Sequence, residues 1–307
     1  MNSVNTLIRA LDMRDPDALP NLRAGSTILI GSDYSGQHSN SVYEALAFIL
    51  ADSARCHGWM KERSQLRAQM LRDGRRFSYK TLQEKQRSAV LLPFLDAANL
   101  IPGLLVVVLT RKSIESLFKK TGRIERSDPE IQLLAHWAPH VVEKLLRICH
   151  FLSLFIAGLS REGQDVLWIT DEDDIVANRM KHEELTNVFG RISNHYLLHT
   201  LRNFRLATTA SDTGKRDVED FVSIADLAAG AVCESLNAYI RNDTIPIPDV
   251  VLPIPRKIDK KAIDVLNWFS DQSPALKRLV IGFEPSEDGI RLRVRQYSFL
   301  QSEAHLT

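Results

Sequence analysis

Three aspartates stand where this sequence could do chemistry. Two strongly apolar runs stop on an acid: Thr27-Ile28-Leu29-Ile30-Gly31-Ser32 runs into Asp33, and Val166–Thr170 runs into Asp171. A third acid, Asp226, interrupts the small-residue stretch Ile224-Ala225-Asp226-Leu227-Ala228-Ala229-Gly230, with no Lys or Arg within four positions on either side. Carboxylates at the ends of neighbouring strands, joined by one from a facing helix, form an all-oxygen cage suited to Mg²⁺ or Mn²⁺. Each also has an ordinary reading. An Asp after a strand commonly closes a turn, the run Asp171–Asp174 reads equally as a solvated acidic loop, and Asp226 can serve as a satisfied cap.

Charge adds a second theme. The 39 Lys and Arg against 38 Asp and Glu leave a net charge of +1, so basic character over the whole chain cannot carry an argument for nucleic acid. Residues 55–87 supply it locally, with ten Lys or Arg against Glu62, Asp73 and Glu84. Trp59, Phe77 and Tyr79 are interleaved there. Basic residues for phosphates beside aromatics for bases predict a nucleic-acid contact through Arg67, Arg72, Arg75, Arg76 and Lys80. The competing picture is a solvated helix face over buried aromatics.

Other patterns carry less. His195 and His199 are four apart on an expected helix, but no Glu follows His195, so the zinc-protease pattern is missing and a packing role is expected. His182 reads as a surface histidine. Thr213-Gly214-Lys215 lacks the upstream glycine of a phosphate loop. Cys56, Cys149 and Cys233 form neither a CxxC pair nor an even framework, which fits a reducing cytoplasm. Leu104–Leu109 and Phe151–Leu159 are the longest apolar stretches and are well short of the ~20 residues that span a bilayer, so no membrane is expected.

The elements that must position these residues follow from hydrophobic pattern and punctuation. At 307 residues, 44% hydrophobic, the chain is long enough for one large domain or two small ones. Strands are expected at 27–33, 104–110, 166–170 and 203–209, with Val42–Leu50 open between strand and helix. Helices are expected over 55–71, 81–99, 113–120, 128–159, 182–201, 222–240 and 260–269. Asp128 and Pro129 would open the longest of them at the cap and first helical position. Alternating prolines after Asn242 predict an extended connector, followed by the helix and a hairpin of 276–283 and 290–297. The sum is an α/β chain with a mixed sheet, whose ligands gather at strand ends.

The three acid motifs together resemble the bacterial family called domain of unknown function 3800. Its members begin with a strand ending Asp-Glu-Ser-Gly, carry a mid-chain strand ending in Asp, and finish with a Gln-x-Ala-Asp-Leu-x-x-Gly-like helix. Here Asp33-Tyr34-Ser35-Gly36, Ile169-Thr170-Asp171 and Ser223-Ile224-Ala225-Asp226-Leu227-Ala228-Ala229-Gly230 stand at the three places. The resemblance covers about residues 25 to 242. It implies a ribonuclease-H-like mixed sheet flanked by helices over 22–242, with residues 1–21 as an N-terminal segment and a small α+β extension over 243–307. In that topology the strand of Asp33 is central and the strand of Asp171 lies parallel beside it. The resemblance further implies metal ligation by Asp33, Asp171 and Asp226, with two divalent ions ~3.5–4 Å apart acting on a phosphodiester. One departure stands out: Tyr34 replaces the family's Glu, and Glu172, Asp173 or Asp174 are the acids at hand to substitute. The expectation is a Mg²⁺- or Mn²⁺-dependent nuclease acting on DNA or RNA, set in anti-phage defence with a partner protein of such a system. The alternatives are an inactive subunit that binds nucleic acid or a partner protein, and a small-nucleotide hydrolase with a closed pocket.

Overall fold

The structure is a computed structural model and describes residues 2–119, 122–241, 251–271, 273–286 and 292–300. Its strands are β1 (Thr27–Ser35), β2 (Tyr43–Asp52), β3 (Gly103–Arg111), β4 (Asp165–Thr170), β5 (Asn203–Thr208), β6 (Val251–Pro253), β7 (Leu276–Pro285) and β8 (Leu292–Leu300). They form one mixed sheet in the order β5-β4-β1-β2-β3-β7-β8-β6. β1 is antiparallel to β2 and parallel to β4, and β4 is parallel to β5.

The open question at Val42–Leu50 resolves as strand, and alternation is the reason. Ala45, Ala47, Ile49 and Ala51 turn to one face, and Leu46, Phe48 and Leu50 to the other. The first face is covered by α2 (His57–Met70), α3 (Lys85–Ala98), α6 (Asp217–Arg241) and α7 (Lys260–Ser270). The second is covered by α1 (Asn2–Arg14), α4 (Pro139–Leu159) and α5 (Arg179–Ser193). The alanines of β2 face α6, itself rich in Ala and Gly, so the helix settles close to the sheet. At Gly31 of β1 a Cβ would come within 3.0 Å of the Phe221 ring on α6. Of the described residues, α6 is the helix long and apolar enough to cross a membrane by length and composition, and it is buried here as a core helix.

Several expected boundaries move, each for a local reason. The helix expected at 113–120 does not form over the described residues 113–119: Ser116 Oγ accepts from the backbone N–H groups of Phe118 and Lys119, and Glu143 accepts from that of Leu117. Side chains thus take the donors a helix would have used. The helix expected from Asp128 to Leu159 is interrupted. A 3₁₀ segment, Pro129–Leu134, precedes α4, which starts afresh at Pro139, because proline lacks the N–H a continuous helix needs. α5 starts early, where Asn178 accepts from the Lys181 N–H, and ends at Ser193 rather than Leu201. α6 begins at Asp217, since the Asp212 carboxylate accepts from the N–H groups of Val218 and Glu219 in its first turn. Residues 81–99 divide into a 3₁₀ turn, Tyr79–Gln83, and α3. The connector expected after Asn242 lies outside the described residues up to 250. Beyond it, β7 pairs in parallel with β3 and β8 pairs with β7, so these strands continue the main sheet.

Candidate carboxylate site

β1 and β4 are parallel and paired so that Ser32 faces Thr170, which brings Asp33 and Asp171 out side by side at the same sheet edge. The Asp171 N–H donates to the Ser32 carbonyl at 3.3 Å, continuing the ladder by one residue. α6 crosses beneath this edge and carries Asp226. Between the three acids lies Arg76, from the chain between α2 and α3. Its guanidinium is 2.7 Å from Asp171 Oδ2 and 3.8 Å from Asp33 Oδ2. The Arg76 Nε is buried without an acceptor among the described residues, so this guanidinium is incompletely satisfied.

Each carboxylate has one oxygen fixed. Asp33 Oδ1 accepts from the Tyr34 N–H at 2.6 Å, Asp171 Oδ1 from the Thr209 hydroxyl at 2.8 Å, and Asp226 Oδ2 from the Tyr79 N–H at 2.6 Å. The environment disfavours the charge of Asp33 and of Asp226. Burial pushes the Asp33 carboxyl well above the usual range, and repulsion from Asp226 and Asp171 adds to it. Burial likewise lifts Asp226 to about 6, against the Tyr79 hydrogen bond and the charge of Arg76. Carboxylates that resist ionisation until a cation arrives are chemically suited to a hard divalent ion. Among the described residues, no group of three or more His, Cys, Asp or Glu is gathered tightly enough to hold an ion as it stands. Arg76 is the cation already among them.

Tyr34 and Asp173 lie elsewhere than expected. Successive strand residues point to opposite faces, so Tyr34 turns away from Asp33 toward the α4 side. Its hydroxyl lies 3.0 Å from Ser32 Oγ and 3.2 Å from Thr170 Oγ1, with the Lys144 ammonium 4.9 Å from its ring. A Glu at this position would stand on that face too. Asp173 pairs with Lys144 at 2.5 Å, beside Tyr34, and so does not join the trio as a further ligand.

The expected nucleic-acid set also divides. Arg67 is a structural residue: with Arg63 it clamps the fully buried Asp220 of α6, at 2.9 Å from Arg67 Nε and 3.0 Å from Arg63 Nη1. Arg75 pairs with Asp73 and Glu84, and Arg72 donates to the Ala68 carbonyl at the end of α2. Arg76 belongs to the carboxylate site, which leaves Lys80 exposed with no close ion pair among the described residues, its charge reaching Asp226 only at longer range. Trp59 and Phe77 are completely buried around Phe94, so neither can stack on a base. The Tyr79 ring lies on Gly230, where a Cβ would come within 2.4 Å of it, and its hydroxyl donates to Glu234. His195 and His199 fall beyond the end of α5. His199 Nε2 lies 2.8 Å from Ser160 Oγ, and His182 Nε2 3.2 Å from the Leu206 carbonyl.

The sequence pattern does not announce Arg76 as counter-ion, Thr209 as the hydroxyl that orients Asp171, or the Tyr79 N–H that orients Asp226. Gly230 carries the one available signal for the last of these, a glycine one turn after the helical Asp. No protein-family model matches this chain, and no curated protein matches it.

Proposed function

We propose that this chain is a divalent-metal-dependent nuclease with a ribonuclease-H-like core, hydrolysing phosphodiester bonds of DNA or RNA. The carrying observation is the gathering of Asp33, Asp171 and Asp226 from three elements around one guanidinium. The strand order supports the fold reading, since the Asp33 strand has β2 on one side and the parallel Asp171 strand on the other. Asp33, Asp171 and Asp226 would hold the metal. The bound ion supplies charge to activate water and to stabilise the leaving oxygen. The Tyr79 N–H and the Thr209 hydroxyl hold two of the carboxylates in orientation. Arg76, once released from Asp171, is placed to contact a phosphate oxygen.

The Arg76–Asp171 contact also favours a second reading. With a resident cation in place, the same site can be a non-catalytic nucleic-acid- or partner-binding subunit. One experiment separates them: labelled single- and double-stranded DNA and RNA are incubated with the protein in Mg²⁺, Mn²⁺ or EDTA. The nuclease reading expects cleavage that needs a divalent ion. It also expects nearly complete loss in Asp33→Asn, Asp171→Asn and Asp226→Asn, with double variants hardly worse than single ones, because residues acting as a unit are not additive. Melting curves run beside it: an ion binding only the folded state adds about 2.7 kcal/mol at a hundred times its Kd, in wild type and not in Asp33→Asn. No cleavage and no Mn²⁺ shift would leave the subunit reading, and cleavage untouched by all three substitutions would remove the site.

A further inference from the structure

The face of α6 that carries Asp226 continues past it, because residues four apart on a helix share a face. One turn on is Gly230, and beyond it Glu234 and Arg241 line a cavity of about 760 Å³ that Ser35, two residues after Asp33, also borders. The cavity therefore opens directly alongside the carboxylate site. Four cations converge on it from three segments: Lys80, Arg241, Lys257 and Lys261.

The two acids of this cavity, Glu234 and Asp259, offset only part of that charge, four cations against two carboxylates. Both oxygens of Glu234 are engaged in building the wall, Oε2 accepting from the Tyr79 hydroxyl at 2.6 Å and Oε1 from the Asp259 N–H at 2.9 Å. Asp259 lies 3.8 Å from Lys261, whose ammonium also sits 4.4 Å from the Tyr79 ring centre. Lys80, Arg241 and Lys257 form no close ion pair among the described residues, and the charge of Lys80 also reaches Asp226. Single exposed lysines are ordinary. Three cations without a close ion pair among the described residues, facing one cavity next to buried carboxylates that repel anions unless a metal intervenes, form an electrostatic gradient that points to phosphate.

Resting on the nuclease reading, we propose that this cavity binds the phosphates of the nucleotides next to the one at the carboxylates. The strand then runs along α6 and meets the basic segment between α2 and α3 through Lys80 and not through Arg67, Arg72 or Arg75. The shared chemistry is a nucleoside phosphate, and it can come from a strand or from a free mononucleotide.

The test is binding in EDTA, where cleavage plays no part. Fluorescein-labelled single-stranded 12-mers of DNA and of RNA are titrated by anisotropy over a salt series against wild type and against Lys80→Ala, Arg241→Ala, Lys257→Ala and the triple variant. Each lost phosphate contact on a single strand lowers the slope of log K against log salt by about 0.7, so the triple variant should lose about 2. Melting temperatures confirm that the variants, all at solvent-accessible positions, remain folded. In the competition arm, displacement by AMP or dAMP at concentrations comparable to the 12-mer assigns the cavity to a mononucleotide, and displacement by oligonucleotide alone assigns it to a strand. An unchanged slope in the folded triple variant, or no binding of either probe by wild type at low salt, overturns the proposal. Because cleavage in Mn²⁺ is scored separately, binding lost in the variants of a protein that never cleaves would retain the cavity and remove the nuclease reading.

Discussion

A carboxyl group that is buried beside two others pays for its charge in folding stability, and Asp226 gives that cost a pH signature. Burial lifts it to about 6, with repulsion from Asp171 contributing, and Asp33 moves in the same direction for the same reasons. A folded-state pKa above the unfolded value means that the folded protein holds the proton more tightly. The contribution to stability is then present at low pH and lost as pH rises through about 6. It amounts to about 1.4 kcal/mol for each pH unit that separates the folded and unfolded pKa values. His150, pushed down to about 4 by burial, acts oppositely in the same window, so the wild-type profile alone is ambiguous. The difference between wild type and Asp226→Asn is not. In EDTA the variant should gain on wild type as pH rises from 4.5 to 7, as read by melting temperature, and parallel curves would place Asp226 in an ordinary solvated setting. At this scale the sequence is readable where an acid ends or interrupts an apolar run, as at all three aspartates. It is unreadable at Arg76, whose stretch from Arg72 to Lys80 has no periodicity and whose partners come from distant strands. Charge density alone makes Arg67 look like Arg76, although one closes a buried ion cluster and the other enters the site.

Between elements, the coupling runs through Gly230 and Tyr79. The glycine lets the tyrosine ring lie on α6, and that placement sets the Tyr79 N–H against Asp226. Gly230→Ala puts a methyl group where the ring now is. In a helix Ala is intrinsically better than Gly by about 1 kcal/mol, so any loss must come from the ring. Overpacking of this kind costs roughly 1–3 kcal/mol, and the substitution should lower both the melting temperature and any metal-dependent activity. In a Tyr79→Ala background the same change should be neutral or stabilising, and a double-mutant cycle reads the coupling directly. Equal losses in both backgrounds would mean that the ring is not what Gly230 accommodates. Element types are largely legible, because β1, β3 and β4 are short apolar runs and α6 has a long apolar face. Their limits are less so. Side-chain acceptors such as Ser116, Glu143 and Asp212 decide where backbone donors go, and those partners are set by tertiary contacts.

On the scale of the whole molecule, composition changes after Asn242, yet the later strands share the sheet that holds the site. β3 is buried at every residue from Gly103 to Thr110, and its outer side is paired in parallel with β7 from Leu276 to Phe283. No local signal in either strand announces that pairing, because a parallel partner is chosen by what the fold leaves uncovered and not by a turn between neighbours. The pairing makes the C-terminal region necessary to solubility rather than an accessory. A chain stopped after residue 270 keeps Asp33, Asp171, Asp226 and the cations of the cavity, but leaves β3 as an apolar edge of eight or nine residues. Exposed edges of that kind pair with other chains. This truncation should therefore aggregate on expression. Removing residues 1–14 should instead give a soluble protein of lower melting temperature, since α1 buries Val4 and Leu11 against the sheet without completing a strand ladder. Solubility and light scattering of the two truncations decide the matter. A soluble, monomeric chain ending at residue 270 would show that β3 tolerates an open edge, and the site would then belong to a core that folds without β7 and β8.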